Sequence, residues 1–412
     1  MLYVFCCSVN VANAETKKTI ELADGTELSY YHYPAKGKQV FIWLAPEEGL
    51  QESEKILAKK VAMKGIEVWY PDLFESNFLP IAASSVEQFP VSQIKALIAA
   101  ANVGKDIYLV TSGRGTIPIL RGLRQWQTDM PDSTAVKGLI LLSPKFFVET
   151  PNPGEEAHIM PIVYATNIST YIFQPAQSPW RWKLDRTLPA LQQGGSRIFT
   201  QVIKSVRDRF YYRPDATPQE YKIASELPGL LSRASRVLAT LPAQHKVAPL
   251  SGEIQKPVTS SKKDRVLTAY KNKPMAPLLT LKDLSGKTVN LNDYKGEVVM
   301  VNFWASWCPP CVYEMPSMQR LQESMKDKPF HILAVNMAED KQTIEVFLRE
   351  KVNVDFTVLL DVDGAALKRW QVFAFPTTFF LDAQGRIRYG LFGGREWDKP
   401  DVTKVIENLL KE

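Results

Sequence analysis

The chain has 412 residues, more than one ordinary core organises, and its 45% hydrophobic and 23% charged fractions are those of a soluble globular protein of two or three domains. No uninterrupted apolar run is long enough to span a bilayer, which excludes a membrane-embedded body. A formal net charge of +6, with no Lys/Arg cluster interleaved with aromatics, gives no reason to expect a nucleic-acid partner.

Residues 1–11 are mostly apolar and lead into Ala12-Asn13-Ala14, after which charge appears at Glu15, Lys17 and Lys18. This layout predicts a signal peptide over 1–14 and export to the periplasm or a similar space. The absence of a basic start leaves a short buried strand as the alternative. Cleavage after Ala14 would remove Cys6 and Cys7 and leave Cys308 and Cys311. One closely spaced pair in an oxidising compartment reads as a working pair rather than a structural framework.

A domain is expected over 15–241. It opens with an antiparallel pair over 19–23 and 27–33, turning at Asp24-Gly25. Strands then follow over 39–44, 66–70, 106–110, 137–142, 159–165 and 196–203, with helices over 53–64, 92–101, 117–126 and 180–193. This alternation predicts a mostly parallel sheet. Residues 242–272, including Lys256-Pro257-Val258-Thr259-Ser260-Ser261-Lys262-Lys263, read as a linker. A second α/β domain is expected over 273–412, with a hairpin over 279–284 and 288–291 and a buried strand over 298–304.

Cys308 and Cys311 follow that strand where a helix should begin. A helix N-terminus favours the thiolate, Pro309 fits the first helical turn, and Cys311 falls on the same face as Cys308. A zinc site would need further ligands. The four histidines, His32, His158, His245 and His331, are scattered without ligand spacing. A static disulfide across two residues would constrain little unfolded-chain entropy. The pair therefore reads as a dithiol that forms and breaks a disulfide, and no cofactor is required.

The stretch Phe303-Trp304-Ala305-Ser306-Trp307-Cys308-Pro309-Pro310-Cys311, with Glu314 and Pro316, resembles the TlpA/ResA-type thioredoxin-like family. So do Asp283-Leu284-Ser285-Gly286-Lys287, Asp293-Tyr294-Lys295-Gly296 and Phe375-Pro376-Thr377-Thr378-Phe379-Phe380-Leu381-Asp382. The resemblance covers about 273–412 and implies a thioredoxin fold. It further implies that Cys308 attacks a substrate disulfide, that Cys311 resolves the mixed disulfide, and that Pro376 is a cis-proline opposite the pair. Trp307 and Phe375 would then bind substrate alongside Pro376. Glu314 matches the acidic residue that the family places beside its site, where it would exchange a proton with Cys311; a solvated helix carboxylate is the other reading of that position. Asn302 stands where thioredoxin proper carries a buried Asp, and it cannot shuttle a proton.

Strongly oxidising relatives place a His between the cysteines, whereas Pro309-Pro310 supplies none, so a reducing potential is expected. Peroxiredoxins need a Thr three positions before the peroxidatic Cys, where Ala305 stands. The family also implies partners: exported proteins with cysteine pairs as substrates, and a membrane thiol reductant as electron donor.

The first domain resembles the α/β-hydrolase fold over about 19–238, with Val110-Thr111-Ser112-Gly113-Arg114-Gly115-Thr116 at the nucleophile turn. That turn needs small residues flanking the nucleophile. With Thr111 and Gly115 as the small positions, Gly113 takes the nucleophile's place; a Ser112 nucleophile would crowd Val110 and Arg114. No His follows the last expected strand, His245 falls in the linker, and Thr166-Asn167-Ile168-Ser169 stands where the acid is expected. A sheet without a triad reads as a module that binds substrate or partner. Trp180, Trp182, Tyr211 and Tyr212 line its cleft or, by preference, its core. The expected whole is an exported thiol-disulfide oxidoreductase acting as a reductase; the rivals are a redox-regulated hydrolase, a disulfide isomerase or oxidase, and a non-catalytic adaptor.

Overall fold

The computed structural model describes residues 16–22, 24–148, 151, 153–242, 247, 250 and 267–412. The expected leader with Cys6 and Cys7, His245 and most of the expected linker lie outside the described residues. The chain divides into two compact units, the first comprising 1–148 and 159–259, the second 149–158 and 260–412.

The first unit is built on an eight-stranded sheet of β1 (Thr16–Glu21), β2 (Glu27–Tyr33), β3 (Gln39–Leu44), β4 (Glu67–Pro71), β5 (Asp106–Ser112), β6 (Val136–Leu142), β7 (Thr170–Gln177) and β8 (Ile198–Arg207). Their order is β1-β2-β4-β3-β5-β6-β7-β8. The sheet is mixed: β2 runs against both neighbours, while β3 to β8 are parallel to one another. Strand β3 has five buried residues in sequence, Val40 to Leu44, as expected of a parallel strand covered on both faces. At the opening turn Gly25 adopts φ 80°, and the Thr26 N–H donates to the Asp24 carboxylate at 2.9 Å.

One expected strand is not a strand. Residues Pro161–Tyr164 form a short helix, and the chain enters the sheet later, at Thr170. Pro161 has its φ preset and lacks an N–H, so it suits a first helical turn better than a central strand. The expected helix over 180–193 consists of a 3-10 turn, Pro179–Lys183, running into the helix Leu184–Gln193.

The helix Pro218–Ala239 is additional to the expected elements. Its start is a capping box: the Glu220 N–H donates to Thr217 Oγ1 at 3.2 Å, and the Thr217 N–H donates to Glu220 Oε2 at 2.8 Å. Glu220 also receives the Arg207 N–H and Nε, both at 2.9 Å, and Nη2 at 2.6 Å, which ties this helix to the end of β8.

The second unit has an eight-stranded mixed sheet of β9 (Thr268–Ala269), β10 (Thr280–Asp283), β11 (Thr288–Asn290), β12 (Val298–Trp304), β13 (Phe330–Met337), β14 (Thr357–Asp361), β15 (Thr377–Leu381) and β16 (Ile387–Phe392). The order is β11-β10-β14-β13-β12-β15-β16-β9. Strands β12, β13 and β14 are parallel, and β15 runs against β12. Strand β9 lies within the stretch expected as linker and pairs with Tyr389 and Gly390 of β16. All seven residues of β12 are buried, and the helix Pro309–Ser324 follows it directly. Among the described residues no helix is long and apolar enough to cross a membrane.

The buried Arg207–Glu220 pair yields a stability prediction. Replacing Glu220 with Ala leaves Arg207 with Asp215 as its remaining carboxylate partner and removes the half of the capping box that binds the Thr217 N–H, which should cost about 2–3 kcal/mol. Urea unfolding followed by circular dichroism measures this, and an unchanged midpoint would contradict the assignment.

Candidate active site

Strand β12 ends at Trp304, and the next four residues carry the chain to the start of the helix Pro309–Ser324, where Cys308 is the N-cap with φ −99° and ψ 100°. The Cys308 carbonyl accepts the N–H groups of Cys311 at 3.0 Å and Val312 at 3.1 Å, so Cys308 stands at the positive end of the helix. Pro309 and Pro310 occupy the first turn, where a missing N–H breaks no intrahelical bond. Cys308 and Cys311 are joined as a disulfide with Cα atoms 5.3 Å apart. Cys308 is 6% exposed and Cys311 not at all, so an incoming group meets Cys308 first.

The Phe375–Pro376 peptide bond is cis. Thr377 opens β15 and pairs with Phe303 of β12, which brings Pro376 to the sheet end where the cysteine loop leaves. The Pro376 carbonyl accepts the Gly393 N–H at 2.9 Å. Phe375 meets Trp307 edge to face, with centroids 5.8 Å apart. The residues expected to bind substrate, Trp307, Phe375 and Pro376, are thus grouped at one place.

Glu314 lies one turn beyond Cys311 and is completely buried, which rules out the solvated helix carboxylate. Its Oε1 accepts from Asn302 Nδ2 at 2.8 Å, and its Oε2 accepts from Trp397 Nε1 at 2.9 Å and the Arg395 N–H at 3.4 Å. These donors are all neutral, because the Arg395 guanidinium turns to Asp401 at 2.9 Å. Burial therefore prevails over the hydrogen bonds and pushes the Glu314 pKa up to about 8. Gly394 permits this closure, since a Cβ there would come within 2.7 Å of the Pro310 carbonyl oxygen.

Sequence reasoning missed Trp397, and it missed Glu339. The Glu339 carboxylate receives the Ser306 N–H at 2.8 Å, Asn336 Nδ2 at 2.9 Å and the Ser306 hydroxyl, which anchors the loop entering the cysteines. Neither residue stands at a motif spacing from the pair. Ala305, at the peroxiredoxin Thr position, is fully buried.

In the first unit Gly113 has φ 54° and is left-handed in the turn after β5. A Cβ at Gly113 would collide with the Glu47 carboxylate, and one at Gly115 with Thr111 Oγ1. Glu47 accepts the Arg114 N–H at 2.9 Å and pairs with Lys145. Burial opposes the Glu47 charge, but Lys145 and this N–H outweigh it and lower the pKa to about 2.

The later position of β7 places Ser178, rather than Thr166 to Ser169, directly after that strand, and Asp208 directly follows β8. His158 belongs to the second unit. Trp180, Tyr211 and Tyr212 line a cavity, and Tyr211 is also part of the core. Trp182 is not among the lining residues and faces Arg181 at 5.1 Å.

A buried strand that delivers a Cys-x-x-Cys to a helix start, beside a cis-proline, defines the second unit as a thioredoxin-fold dithiol domain. Residues 273–390 match the AhpC/TSA family model. The chain is 36% identical over 134 residues to the thiol-disulfide oxidoreductase ResA of Geobacillus kaustophilus, covering 32% of this chain and 75% of that one. It is 38% identical over 112 residues to ResA of Bacillus subtilis, covering 27% and 62%. The thioredoxin domain of a thiol-disulfide oxidoreductase from Bacteroides vulgatus shares 26% identity, with 35% of this chain and 99% of that one covered and a TM-score of 0.30. Through its second unit the chain belongs to the ResA-type thiol-disulfide oxidoreductase family.

The raised Glu314 pKa makes stability depend on pH. Because the folded-state value of about 8 exceeds the ordinary value of 4.5, the native state holds a proton that the unfolded state releases. The resulting stability is fully present below pH 4.5 and is lost as pH rises through 8. Glu314→Gln cannot ionise, so its stability relative to the wild type should improve by up to about 4 kcal/mol from pH 5 to pH 9. Unfolding midpoints measured across that range test this, and a constant difference would contradict it.

Proposed function

We propose that this chain is an exported reductase of protein disulfides. The observation that carries the reading is the asymmetry of the pair: Cys308 reaches the surface at a helix N-terminus, and Cys311 is sealed behind it. The reduced Cys308 thiolate attacks one sulfur of a substrate disulfide, forming a mixed disulfide and expelling the other substrate sulfur as a thiolate, which takes a proton. Cys311 gives up its proton and attacks Cys308, restoring the Cys308–Cys311 disulfide and releasing the second substrate thiol. Two electrons pass to the substrate. A membrane thiol reductant returns them to the pair.

Glu314 accepts the Cys311 proton during resolution and returns it on reduction, with a pKa near 8 suited to both directions. Trp307 and Phe375, packed against the cluster that contains Cys308, meet the substrate, and the Phe375 backbone next to cis Pro376 pairs with an extended substrate strand. The apolar run before Ala12-Asn13-Ala14 supports export.

The first unit serves as the module that binds substrate or partner. Its strand order and turn after β5 support an α/β-hydrolase-like fold. Gly113 stands in place of a nucleophile and Asp208 in place of the His after β8, which weighs against a hydrolase.

Cys311→Ser leaves the attacking thiol without its resolving partner and should accumulate mixed disulfides, which non-reducing gels and mass spectrometry identify. Cys308→Ser should reduce insulin-disulfide reduction by about 100-fold or more, to background. Retained activity in Cys308→Ser, or captured partners that persist when Cys308→Ser is added to Cys311→Ser, would defeat this assignment. Glu314→Gln should slow resolution about tenfold or more, read as mixed-disulfide lifetime.

A further inference from the structure

Trp304, Trp370 and Trp397 are the buried indoles of the second unit, and they differ in what the ring N–H does. Among the described residues, Nε1 of Trp304 and Nε1 of Trp370 have no hydrogen-bond partner. Nε1 of Trp397 donates to Glu314 Oε2 at 2.9 Å. The Trp397 backbone N–H donates to Ser317 Oγ at 2.9 Å, and the Ser317 hydroxyl donates to the Glu314 carbonyl at 2.7 Å. Both N–H groups of Trp397 therefore act on the one helical turn that carries the buried acid.

The Phe380 ring, with centroids 5.8 Å apart, and the Arg395 guanidinium, 5.8 Å from the indole centroid, hold the side chain in place. Such packing asks only for an aromatic ring; the N–H is what a phenylalanine would lack. The two oxygens of Glu314 are not equivalent. Oε2 takes Trp397 Nε1 and, at 3.4 Å, the Arg395 N–H, whereas Oε1 takes Asn302 Nδ2 alone. Each carboxylate oxygen has two lone pairs, so Oε2 is filled and Oε1 keeps one for a proton.

We propose that Trp397 is a positioning residue of the dithiol reaction: by fixing Glu314 Oε2 it leaves Oε1 as the atom that takes the Cys311 proton when the Cys311 sulfur attacks Cys308 in the mixed disulfide. This rests on the role given to Glu314 above. A donor to Oε2 favours the carboxylate over the acid, and no charged side chain does so in its place. The Arg395 guanidinium is bound to Asp401, Lys399 to Glu396 and Arg320 to Asp398, while Asn302 and Thr378 on the facing strands are neutral. Without the indole N–H, Glu314 therefore holds its proton to higher pH.

The full chain is labelled with glutamate carrying carbon-13 at the side-chain carboxyl, and Glu314 is followed by NMR against pH in the oxidised protein, where neither cysteine titrates. Its signal is identified by its loss in Glu314→Gln. Trp397→Phe should raise the Glu314 midpoint by about one pH unit. The pH profile of mixed-disulfide resolution should move up with it, and in a Glu314→Gln background Trp397→Phe should leave that profile where it is. Trp397→benzothienylalanine keeps the ring shape and loses only the N–H, so it should give the same shift even where the phenylalanine variant fails to fold. A Glu314 midpoint that stays put in the benzothienylalanine variant, or a profile shift that persists in the Glu314→Gln background, would overturn the proposal. Resolution at the wild-type rate in Glu314→Gln would instead defeat the role of Glu314 itself.

Discussion

Asn302 holds the second unit's site together from within a strand whose seven residues are all buried. Its side-chain amide donates both to Glu314 on the cysteine helix and to Thr378 Oγ1 on β15, at 2.8 and 3.0 Å. A strand buried on both faces cannot slip by one residue without turning every side chain to the wrong side. The β12 register therefore fixes three things at once: where Cys308 meets the helix start, which turn of that helix carries the buried acid, and how Pro376 approaches. An Asn serves this place better than an Asp would. It donates to Glu314, whereas a second carboxylate would set two acids against each other in a site that lacks a cation partner.

The first unit places its chemistry differently. In its turn after β5 Gly113 is left-handed, and the space a side chain would take there contains the Glu47 carboxylate. That carboxylate takes the Arg114 N–H and pairs with Lys145, so the local positive field is already neutralised. Redox chemistry then rests on the second unit; in the first, Glu47 and Arg209 have ion-pair partners and the Asp208 carboxylate is held by two serine hydroxyls.

Much of this organisation was legible in the sequence where local pattern and burial agree. Strands β3 and β12 read directly from unbroken apolar runs, and the Asp24-Gly25 and Ser285-Gly286 turns fixed their hairpins. The cysteine helix followed from Pro309 and the strand before it. Pattern misleads where a short apolar run has two uses: 159–165 contains Pro161 and closes into a helical turn, while Thr170 to Phe173, rich in β-branched and aromatic residues, forms the strand. The helix from Pro218 carries a capping signal, Thr217-x-x-Glu220, that sequence reasoning missed. Burial of Glu314 was beyond sequence because it depends on Trp397 and Gly394, which arrive from a distant loop. Glu339 and Glu47 were hidden for the same reason: the Ser306 and Arg114 N–H groups that they accept come close only in the folded chain.

On the reading proposed above, a helix-start thiol with no basic residue between the cysteines to stabilise its thiolate further works as a reductant. Equilibrating the full chain with glutathione buffers of stepped poise, and counting free thiols at Cys308 and Cys311 by alkylation and mass spectrometry, measures this directly. The expected midpoint is nearer the thioredoxin value of about −270 mV than the DsbA value of about −120 mV, so the pair is fully oxidised at a poise of about −150 mV. A pair that stays reduced at that poise would contradict it.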